Sequence, residues 1–190
     1  MTPKRFQSSP TFINGLSIVK RVVNQDQRGY FQRLFCAQEL SELGWSKPVM
    51  QINQTKTVMK GSLRGMHMQI PPFSERKLVS CLHGSVFDVV VDMRKGSPTF
   101  LAWHGEILSE HESNALLIPP GCVHGFQTLT DDVEMLYCHD QIFSPEHEFG
   151  VHPLDPRVSI QWDLPISVIS DKDASRVFLI NEFEGFDYAR

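Results

Sequence analysis

Apolar and polar residues alternate along most of the chain at the two-residue period of β-strands. Turns that contain glycine or proline, such as 83–84 and 95–98, separate these segments. Short strands at regular intervals predict an antiparallel β-sandwich or barrel. The predicted strands span residues 12–19, 30–35, 49–57, 77–82, 85–93, 100–108, 115–118, 125–129 and 134–140.

Helical periodicity is almost absent from the chain. The best helix candidate covers residues 37–43, and Gly44 is placed to end it. Residues 144–190 contain several prolines, which break up any long element. We therefore expect an all-β fold with a few short helices, forming one domain over residues 1–190.

One predicted strand differs from the others in the character of its polar side. Residues 49–57 alternate, but they are rich in Gln, Asn and Thr. A strand that carries amides and hydroxyls on one face is unusual unless that face lines a site. This segment therefore indicates a binding site on the sheet.

The composition is that of an ordinary globular domain with a sizeable core. The chain has 190 residues, of which 41% are hydrophobic and 21% are charged. Its net charge of -4 argues against general nucleic-acid binding, which requires a basic surface. The apolar runs are shorter than a membrane span, and no secretion signal is recognisable at the start of the sequence.

The cysteines are spread along the chain without any CxxC pair. This spacing argues against a zinc site or a disulfide framework and fits free thiols in a reducing compartment. We therefore expect a cytoplasmic protein that has neither a nucleic-acid nor a membrane partner.

The stretch 61–69 holds the most suggestive chemistry in the sequence. Arg64 can bind a phosphate through its planar guanidinium, and His67 can exchange a proton near neutral pH. Lys77 follows shortly afterwards. Together they suggest an enzyme that acts on a phosphorylated small molecule, although a surface ion pair at Arg64 and a hydrogen-bonded strand histidine at His67 would explain the same residues.

Two segments match the motifs of the cupins, double-stranded β-helices that often bind a metal. The first motif of metal-binding cupins contains His-x-His, but Gln69 stands at the second histidine position here. The second motif matches at 119–124 and ends in His124. Because two histidines without a convincing carboxylate are too few ligands, and Glu75 lies in a proline-led loop, we expect no metal site.

Over residues 12–175 the chain resembles the nucleotide-sugar 3,5-epimerases. The resemblance rests on ordered matches at compatible spacing along nearly the whole sequence. The matching segments are Arg28-Gly29-Tyr30-Phe31, Gln51-x-Asn53, Leu63 to Gln69, Lys77-Leu78-Val79, Asp88 to Asp92, Ser97-Pro98-Thr99, Ile118 to Phe126, Ser144 to Glu148 and Ser170 to Asp173.

This resemblance implies a cupin double-stranded β-helix, a jelly-roll-like antiparallel sandwich, and a cofactor-independent epimerase. It implies that His67 is the base with Asp173 as its carboxylate partner, that Tyr137 is the opposing acid, and that Lys77 lies beside the ketone of the sugar. It also implies a homodimer with exchanged strands, in which Arg28 serves the active site of the partner. The implied substrate-binding residues are Arg28, Gln51, Asn53, Arg64, His124, Glu148 and Lys172.

The chemistry of a 4-keto sugar accounts for these residue types. The ketone acidifies the hydrogens on both flanking carbons, C3 and C5. Removal of one hydrogen gives an enolate, whose oxygen needs a cation such as Lys77. Inversion follows when the proton returns from the opposite face, which requires a second group such as Tyr137. Neither a metal nor a redox cofactor is needed.

The sequence departs from the family where the pyrimidine is expected. The family usually has two aromatic residues where this chain has Ile142 and Phe143, so Phe143 alone would stack on the base. Arg33 stands where the family often has a glutamate. Thymine presents a donor at N3, which suits a carboxylate, whereas cytosine presents acceptors at N3 and O2, which suit an arginine. Arg33 therefore favours CDP over dTDP as the carrier.

Two functions of different classes remain open at this point. The first is an epimerase that inverts C3, and in one version also C5, of a nucleotide-linked 4-keto-6-deoxyhexose for surface polysaccharide. Its fullest form is a dTDP-4-keto-6-deoxyglucose 3,5-epimerase of rhamnose synthesis. The second is a non-catalytic cupin that binds a nucleotide sugar. The joint presence of His67, Asp173, Lys77 and Tyr137 favours the enzyme, because a binding protein has no need of all four.

Overall fold

The computed structural model describes residues 4–188, which form two antiparallel sheets packed face to face. The order of the first sheet is β1 (Phe6–Pro10), β2 (Ser17–Arg21), β10 (Asn114–Ile118), β7 (Lys77–His83), β12 (Val133–His139) and β5 (Gln51–Thr57). The order of the second is β13 (Glu148–Gly150), β6 (Ser62–Gln69), β11 (Cys122–Thr128), β8 (Ser85–Asp92) and β9 (Trp103–Ser109).

The remaining elements are short. Strand β14 (Val168–Ile169) adds to β6 in parallel, and β3 (Val23–Asp26) pairs with β4 (Gly29–Gln32) as a separate hairpin. The helices are α1 (Ala37–Ser41), α2 (Asp171–Ala174) and a 3-10 turn at Pro145–His147. The predicted all-β, cupin-like sandwich with a few short helices is confirmed. No helix within residues 4–188 is long and apolar enough to cross a membrane.

The central strands are buried on both faces because each sheet is covered on its outer side as well. Between the sheets, Val79 and Leu116 of the first pack in one cluster with Val90 of the second. Outside the first sheet, Leu40 of α1 fills a separate cluster, and outside the second sheet the C-terminal segment brings in Phe186. Every residue of β11 is buried as a result.

The structure corrects the predicted strand at 12–19. Residues 12–15 form a turn around Asn14 and Gly15, and strands β1 and β2 lie on either side of it. Gly15 has a φ of +82°, which a strand residue does not adopt. Ile13 in this turn and Leu16 just after it are fully buried, and they join the apolar residues of β2 in a short apolar segment that resembles one strand. The predicted helix at 37–43 ends at Ser41, shortly before Gly44.

Two glycines allow β6 and β11 to approach each other closely. A Cβ atom added to Gly65 would lie 2.6 Å from the Cα atom of Gly125 and 2.8 Å from the carbonyl oxygen of His124. The ladder between these strands has a register shift at this place, and His67 lies opposite His124. Glycine at position 65 thus allows the strand contact that brings the two histidines together.

We predict that Gly65→Ala destabilises the fold and displaces the two histidines. Forcing a methyl group into a filled contact typically costs about 1–3 kcal/mol, beyond the strain of a positive φ. Denaturant unfolding measures the loss. Gly96→Ala is the matched control, because Gly96 also has a positive φ, of +69°, but would place its Cβ in open space. Equal losses in the two variants would contradict a role for the close approach.

Candidate functional site

A cavity of about 300 Å³ opens between the two sheets at the ends of β6, β7 and β12. Side chains of the first sheet form one wall, those of the second sheet form the other, and the segment from β13 to just beyond α2 closes it. The lining residues are Asn53, Thr55, Lys77, Tyr137 and His139 from the first sheet, Arg64, Gly65, His67, His124 and Phe126 from the second, and Glu148, Ser170, Lys172, Asp173 and Arg176 from the closing segment.

Strand alternation explains how the first sheet supplies its wall. Asn53 and Thr55 lie two residues apart on β5, and Tyr137 and His139 lie two residues apart on β12, so each pair faces the same side. The polar face predicted for residues 49–57 therefore lines a cavity.

A second cavity of about 260 Å³ continues from the first. It shares Asn53, His67, Lys77, His139 and Glu148 with the first cavity and adds Gln51, Met68, Gln69, Glu75 and Phe143. The Phe143 ring is half exposed, and its backbone N–H donates to Gln51 Oε1 at 3.0 Å. An open aromatic face beside amide groups is suited to a nucleobase.

Gln69 occupies the second histidine position of the metal-binding cupin motif, and its side chain holds a loop in place. Its amide nitrogen donates to the carbonyl oxygens of Phe73 and Ile142, each at 3.1 Å, and its Oε1 accepts from Ser144. It therefore fixes the loop that carries Phe143. Within residues 4–188 no three His, Cys, Asp or Glu side chains are grouped as a metal centre requires.

His67 lies on β6 with its ring 6.5 Å from that of His124. Burial lowers the pKa of His67 well below its ordinary value of 6.5, and the charges of Lys77, His124, Arg176 and Lys172 lower it further. A histidine with a depressed pKa is neutral at pH 7, and a neutral imidazole has a lone pair that can accept a proton.

Tyr137 faces the same cavity from the opposite sheet. Burial raises the pKa of its phenol far above the ordinary value, although a hydrogen bond with the hydroxyl of Thr55, at 3.2 Å, acts against this rise. The phenol therefore keeps its proton at neutral pH. A neutral imidazole that can accept a proton and a phenol that keeps its proton thus line opposite walls of one cavity.

His124 is oriented from behind by Asp88 of β8. Its Nε2 lies 2.7 Å from Asp88 Oδ2, and both side chains are almost fully buried. Burial raises the pKa of Asp88 above its ordinary value, against the opposing influence of His124. The other ring nitrogen, Nδ1 of His124, is buried and has no hydrogen-bond partner within residues 4–188. This nitrogen is available to a ligand in the cavity.

Lys77 shares the carboxylate of Glu75 with His139. Glu75 Oε1 lies 3.0 Å from Lys77 Nζ, and Glu75 Oε2 lies 2.7 Å from Nδ1 of His139. The far nitrogen of His139, Nε2, lies 3.5 Å from the amide nitrogen of Asn53. These contacts fix the ammonium of Lys77 against the wall of the cavity.

The closing segment brings charged side chains over β6. Asp173 Oδ2 accepts from the backbone N–H of Gly65 at 3.3 Å, and Arg176 contacts both Asp173 and Glu148. Arg176 also lies across Gly150, where any Cβ atom would be 2.5 Å from its Nε. No hydrogen bond joins Asp173 to His67 within the described residues, so the predicted pairing of these two remains a prediction.

Arg28 and Arg33 lie outside both cavities of their own chain. Arg28 is on the β3–β4 hairpin, where its side chain is 90% exposed and pairs with Asp26 at 2.6 Å. Arg33 follows the hairpin and pairs with Glu39 at 2.6 Å. The other predicted site residues line one cavity or the other.

Several residues of the site were not predicted from the sequence. Asp88 interrupts a β-branched strand, and His139 follows Tyr137 at the spacing that shares a face, so both leave a signal. The sequence singles out Glu75 only as a candidate metal ligand, and an unconvincing one. Thr55 belongs to the predicted polar face of residues 49–57, although nothing singles it out there. Arg176 has no distinguishing pattern, because its role depends on contacts with residues distant in the sequence.

Comparison with known proteins identifies the family. The family model described as dTDP-4-dehydrorhamnose 3,5-epimerase matches residues 10–181. The dTDP-4-dehydrorhamnose 3,5-epimerase of Shigella flexneri is 39% identical over 164 residues, covering 86% of this chain and 90% of that protein.

Solved structures agree with this result. The dTDP-6-deoxy-D-glucose-3,5-epimerase RmlC of Legionella pneumophila is 38% identical with a TM-score of 0.90, over 97% of this chain and all of that one (100%). ChmJ, a 3'-monoepimerase of Streptomyces bikiniensis, is 32% identical with a TM-score of 0.83, over 89% of this chain and 86% of that one. The chain therefore belongs to the dTDP-4-dehydrorhamnose 3,5-epimerase family and is a carbohydrate epimerase.

Proposed function

We propose that this epimerase inverts C3 of a nucleotide-diphospho-4-keto-6-deoxyhexose, with C5 as a second site of inversion, in the synthesis of a deoxysugar for surface polysaccharide. The observation that carries the proposal is the placement of neutral His67 and protonated Tyr137 on opposite walls of one cavity that Lys77 also lines. The RmlC structure from Legionella contains dTDP-4-keto-L-rhamnose, and that of ChmJ contains dTDP-quinovose.

In this proposal His67 removes the proton next to the ketone. The electron pair of the broken C–H bond moves toward the carbonyl oxygen, and the ammonium of Lys77 stabilises the enolate that forms. Tyr137 then donates its phenolic proton to the same carbon from the other face, which inverts the centre. Asp173 stabilises the protonated His67 through the charge of its carboxylate, and solvent restores the two protonation states.

The charges of the closing segment and of β6 suit the diphosphate. Arg64, Lys172 and Arg176 line the cavity, and the guanidinium of Arg64 donates to the hydroxyl of Thr57 at 2.9 Å. Glu148 pairs with Lys172 at 2.7 Å and holds it near the opening. We assign Gln51, Asn53 and Phe143 to the nucleoside end, because they line the second cavity.

We predict that proton exchange and inversion separate in two variants. His67→Asn should abolish deuterium uptake from heavy water, since a general base contributes roughly 10²–10⁴-fold to the rate. Tyr137→Phe should retain deuterium uptake but slow inversion, because the base can still remove and return a proton on one face. NMR spectroscopy of the sugar at C3 and C5 measures both and shows which carbons react.

Tyr188→Phe is the matched control, because it removes a phenolic hydroxyl that lies outside the cavity and hydrogen-bonds to the backbone of Gln69. It should leave exchange and inversion unchanged. Near-normal exchange in His67→Asn would show that another group is the base. Equal slowing of exchange and inversion in Tyr137→Phe would show that the phenol is not the second acid.

Features of the β3–β4 hairpin support the proposed homodimer. Within residues 4–188 this hairpin pairs with no other strand, and an isolated two-stranded hairpin is marginal in water. Tyr30 and Phe31 on the hairpin are each 63% exposed, and Ile52 on the edge strand β5 is 61% exposed. A second copy of the chain would bury these apolar side chains and bring Arg28 toward the cavity of its partner.

A mixing experiment tests whether Arg28 acts across the dimer. His67→Asn and Arg28→Ala should each be nearly inactive alone, because each dimer lacks one essential group in both sites. A mixed dimer would contain one intact site, made from His67 of one chain and Arg28 of the other. Random reassortment should therefore restore about a quarter of the wild-type activity.

The control for this experiment mixes His67→Asn with Tyr137→Phe. Both changes affect side chains of the same cavity in one chain, so mixed dimers should contain no intact site. Failure of the first mixture to recover activity after verified subunit exchange would place Arg28 outside the partner's site.

Different observations support dTDP and CDP as the nucleotide carrier of the substrate. The ligands of the related structures favour dTDP, whereas Arg33 favours CDP because its guanidinium can donate to N3 and O2 of cytosine. Arg33 would have to leave or share its contact with Glu39 and reach the base from the partner subunit.

We predict tighter binding of CDP than of dTDP by the wild-type protein. One charge-assisted hydrogen bond contributes about 1.5–3 kcal/mol, on the order of tenfold to a hundredfold in affinity. Arg33→Glu should narrow or reverse the preference, and Arg33→Lys should retain part of it. Calorimetric titration with both nucleotides measures the difference. Preferences that are identical in all three proteins would exclude Arg33 from recognition of the base.

A further inference from the structure

The loop before β7 places one carboxylate between two basic side chains of the cavity, and the proton transfers proposed above make no use of it. Glu75 contacts Lys77 at 3.0 Å through one oxygen and His139 at 2.7 Å through the other. The exposed fractions of these side chains are 7% for Glu75, 4% for Lys77 and 11% for His139. The cluster is therefore part of the cavity wall rather than of the solvated surface.

We propose that Glu75 is a positioning residue that holds the ammonium of Lys77 and the imidazole of His139 in place over the cavity and supplies the negative charge beside that ammonium. The proposal rests on the assignment of Lys77 to the ketone of the substrate. It gives Lys77 a charged partner, and it adds His139 to His67 and His124 as the third imidazole that lines the cavity.

Lys77 needs such a partner because it is buried. Removal from water favours the neutral amine, and a neutral amine cannot stabilise an enolate by charge. Burial alone would raise the pKa of Glu75, but Lys77 and His139 outweigh that influence and bring it below the ordinary value. Glu75 is therefore ionised at neutral pH, and its negative charge lies 3.0 Å from the ammonium of Lys77.

His139 receives a defined orientation from the same carboxylate. Because Glu75 is an acceptor, Nδ1 of His139 donates to it, and Nε2 is directed toward Asn53 at the junction of the two cavities. His139 lies opposite Lys77 in the register of β12 and β7, and its ring stacks 6.3 Å from that of Tyr137.

Other groups around Lys77 do not replace Glu75. His67 faces it from β6, Asp88 from β8, and Tyr137 and His139 from β12, whereas its neighbour on β10 is the apolar Ile118. The pKa of Asp88 is raised and this group already contacts His124. On the far side of the cluster, Glu75 faces Tyr188 of the C-terminal segment. Burial raises the pKa of Tyr188 to about 12, so its phenol is neutral at pH 7.

Glu75→Gln tests the proposal because it retains the size of the side chain and one acceptor oxygen and removes the charge. We expect kcat to fall on the order of ten- to a hundredfold, as when an outer partner of a functional group is lost, while KM changes little. The alkaline limb of the pH profile of kcat should move to lower pH, since Lys77 without its carboxylate loses its proton more easily. Glu75→Asp should restore part of both effects.

Glu110→Gln is the matched control. Glu110 also pairs with a histidine, His83 at 3.2 Å, but on the part of the first sheet that lies away from the cavity. It should leave kcat and its pH profile unchanged. A purely structural role for Glu75 would lower stability without moving the alkaline limb, so an unmoved limb in the folded variant overturns the proposal. Where Glu75→Gln fails to fold, Glu75→Asp tests the same point, because it withdraws the charge from Lys77 by one methylene and should move the alkaline limb in the same direction by a smaller amount.

Lys77→Met separates this proposal from the proposed function. Full deuterium exchange in Lys77→Met would overturn the assignment of Lys77 to the ketone. Loss of exchange in Lys77→Met, together with a wild-type alkaline limb in Glu75→Gln, would overturn the role of Glu75 alone. Loss of exchange in Lys77→Met together with a shifted alkaline limb in Glu75→Gln would support both the assignment of Lys77 and the role of Glu75.

Discussion

The burial of charge between two sheets is the constraint on which the rest of this structure depends. An unpaired ion inside a protein costs far more than a sandwich of this size can offset, so each buried charge needs a partner. The cavity meets this requirement locally, with Asp88 beside His124, Glu75 between Lys77 and His139, and Glu148 beside Arg176. The same pairs fix the positions of the charged and polar side chains that line the cavity.

The apolar layers give these pairs a fixed frame. Leu116 and Val90 pack between the sheets, and the outer sides of both sheets are covered as well, so the strands that carry the site cannot shift independently. Lys77 and Tyr137 belong to neighbouring strands of one sheet, and His67 belongs to the other sheet. The distance across the cavity is therefore set by packing between the sheets. Epimerisation requires such a separation, because one group must lie on each face of the same carbon.

Much of this arrangement could be predicted from local patterns, because alternation and turn residues are local properties. The polar face of β5 and the apolar run of β8 were visible in this way. The turn at Asn14 and Gly15 was mistaken for a strand because the buried apolar residues on either side of it, Ile13 and Leu16, continue into the apolar residues of β2 as one short apolar segment. The partners of a cavity residue depend on strand register, as Glu75 and His139 show, and register is set by contacts between distant parts of the chain.

The chain order of the strands has a consequence for how activity is acquired during folding. Strands β6, β7 and β12 carry His67, Lys77 and Tyr137, and the strand order interleaves segments from both ends of the sequence. Contacts between distant segments form late and slowly, because a long loop must be closed before they contribute stability. No early, locally folded part of this chain can hold a complete site. Recovery of epimerase activity on refolding therefore reports completion of the whole sandwich rather than formation of any single sheet.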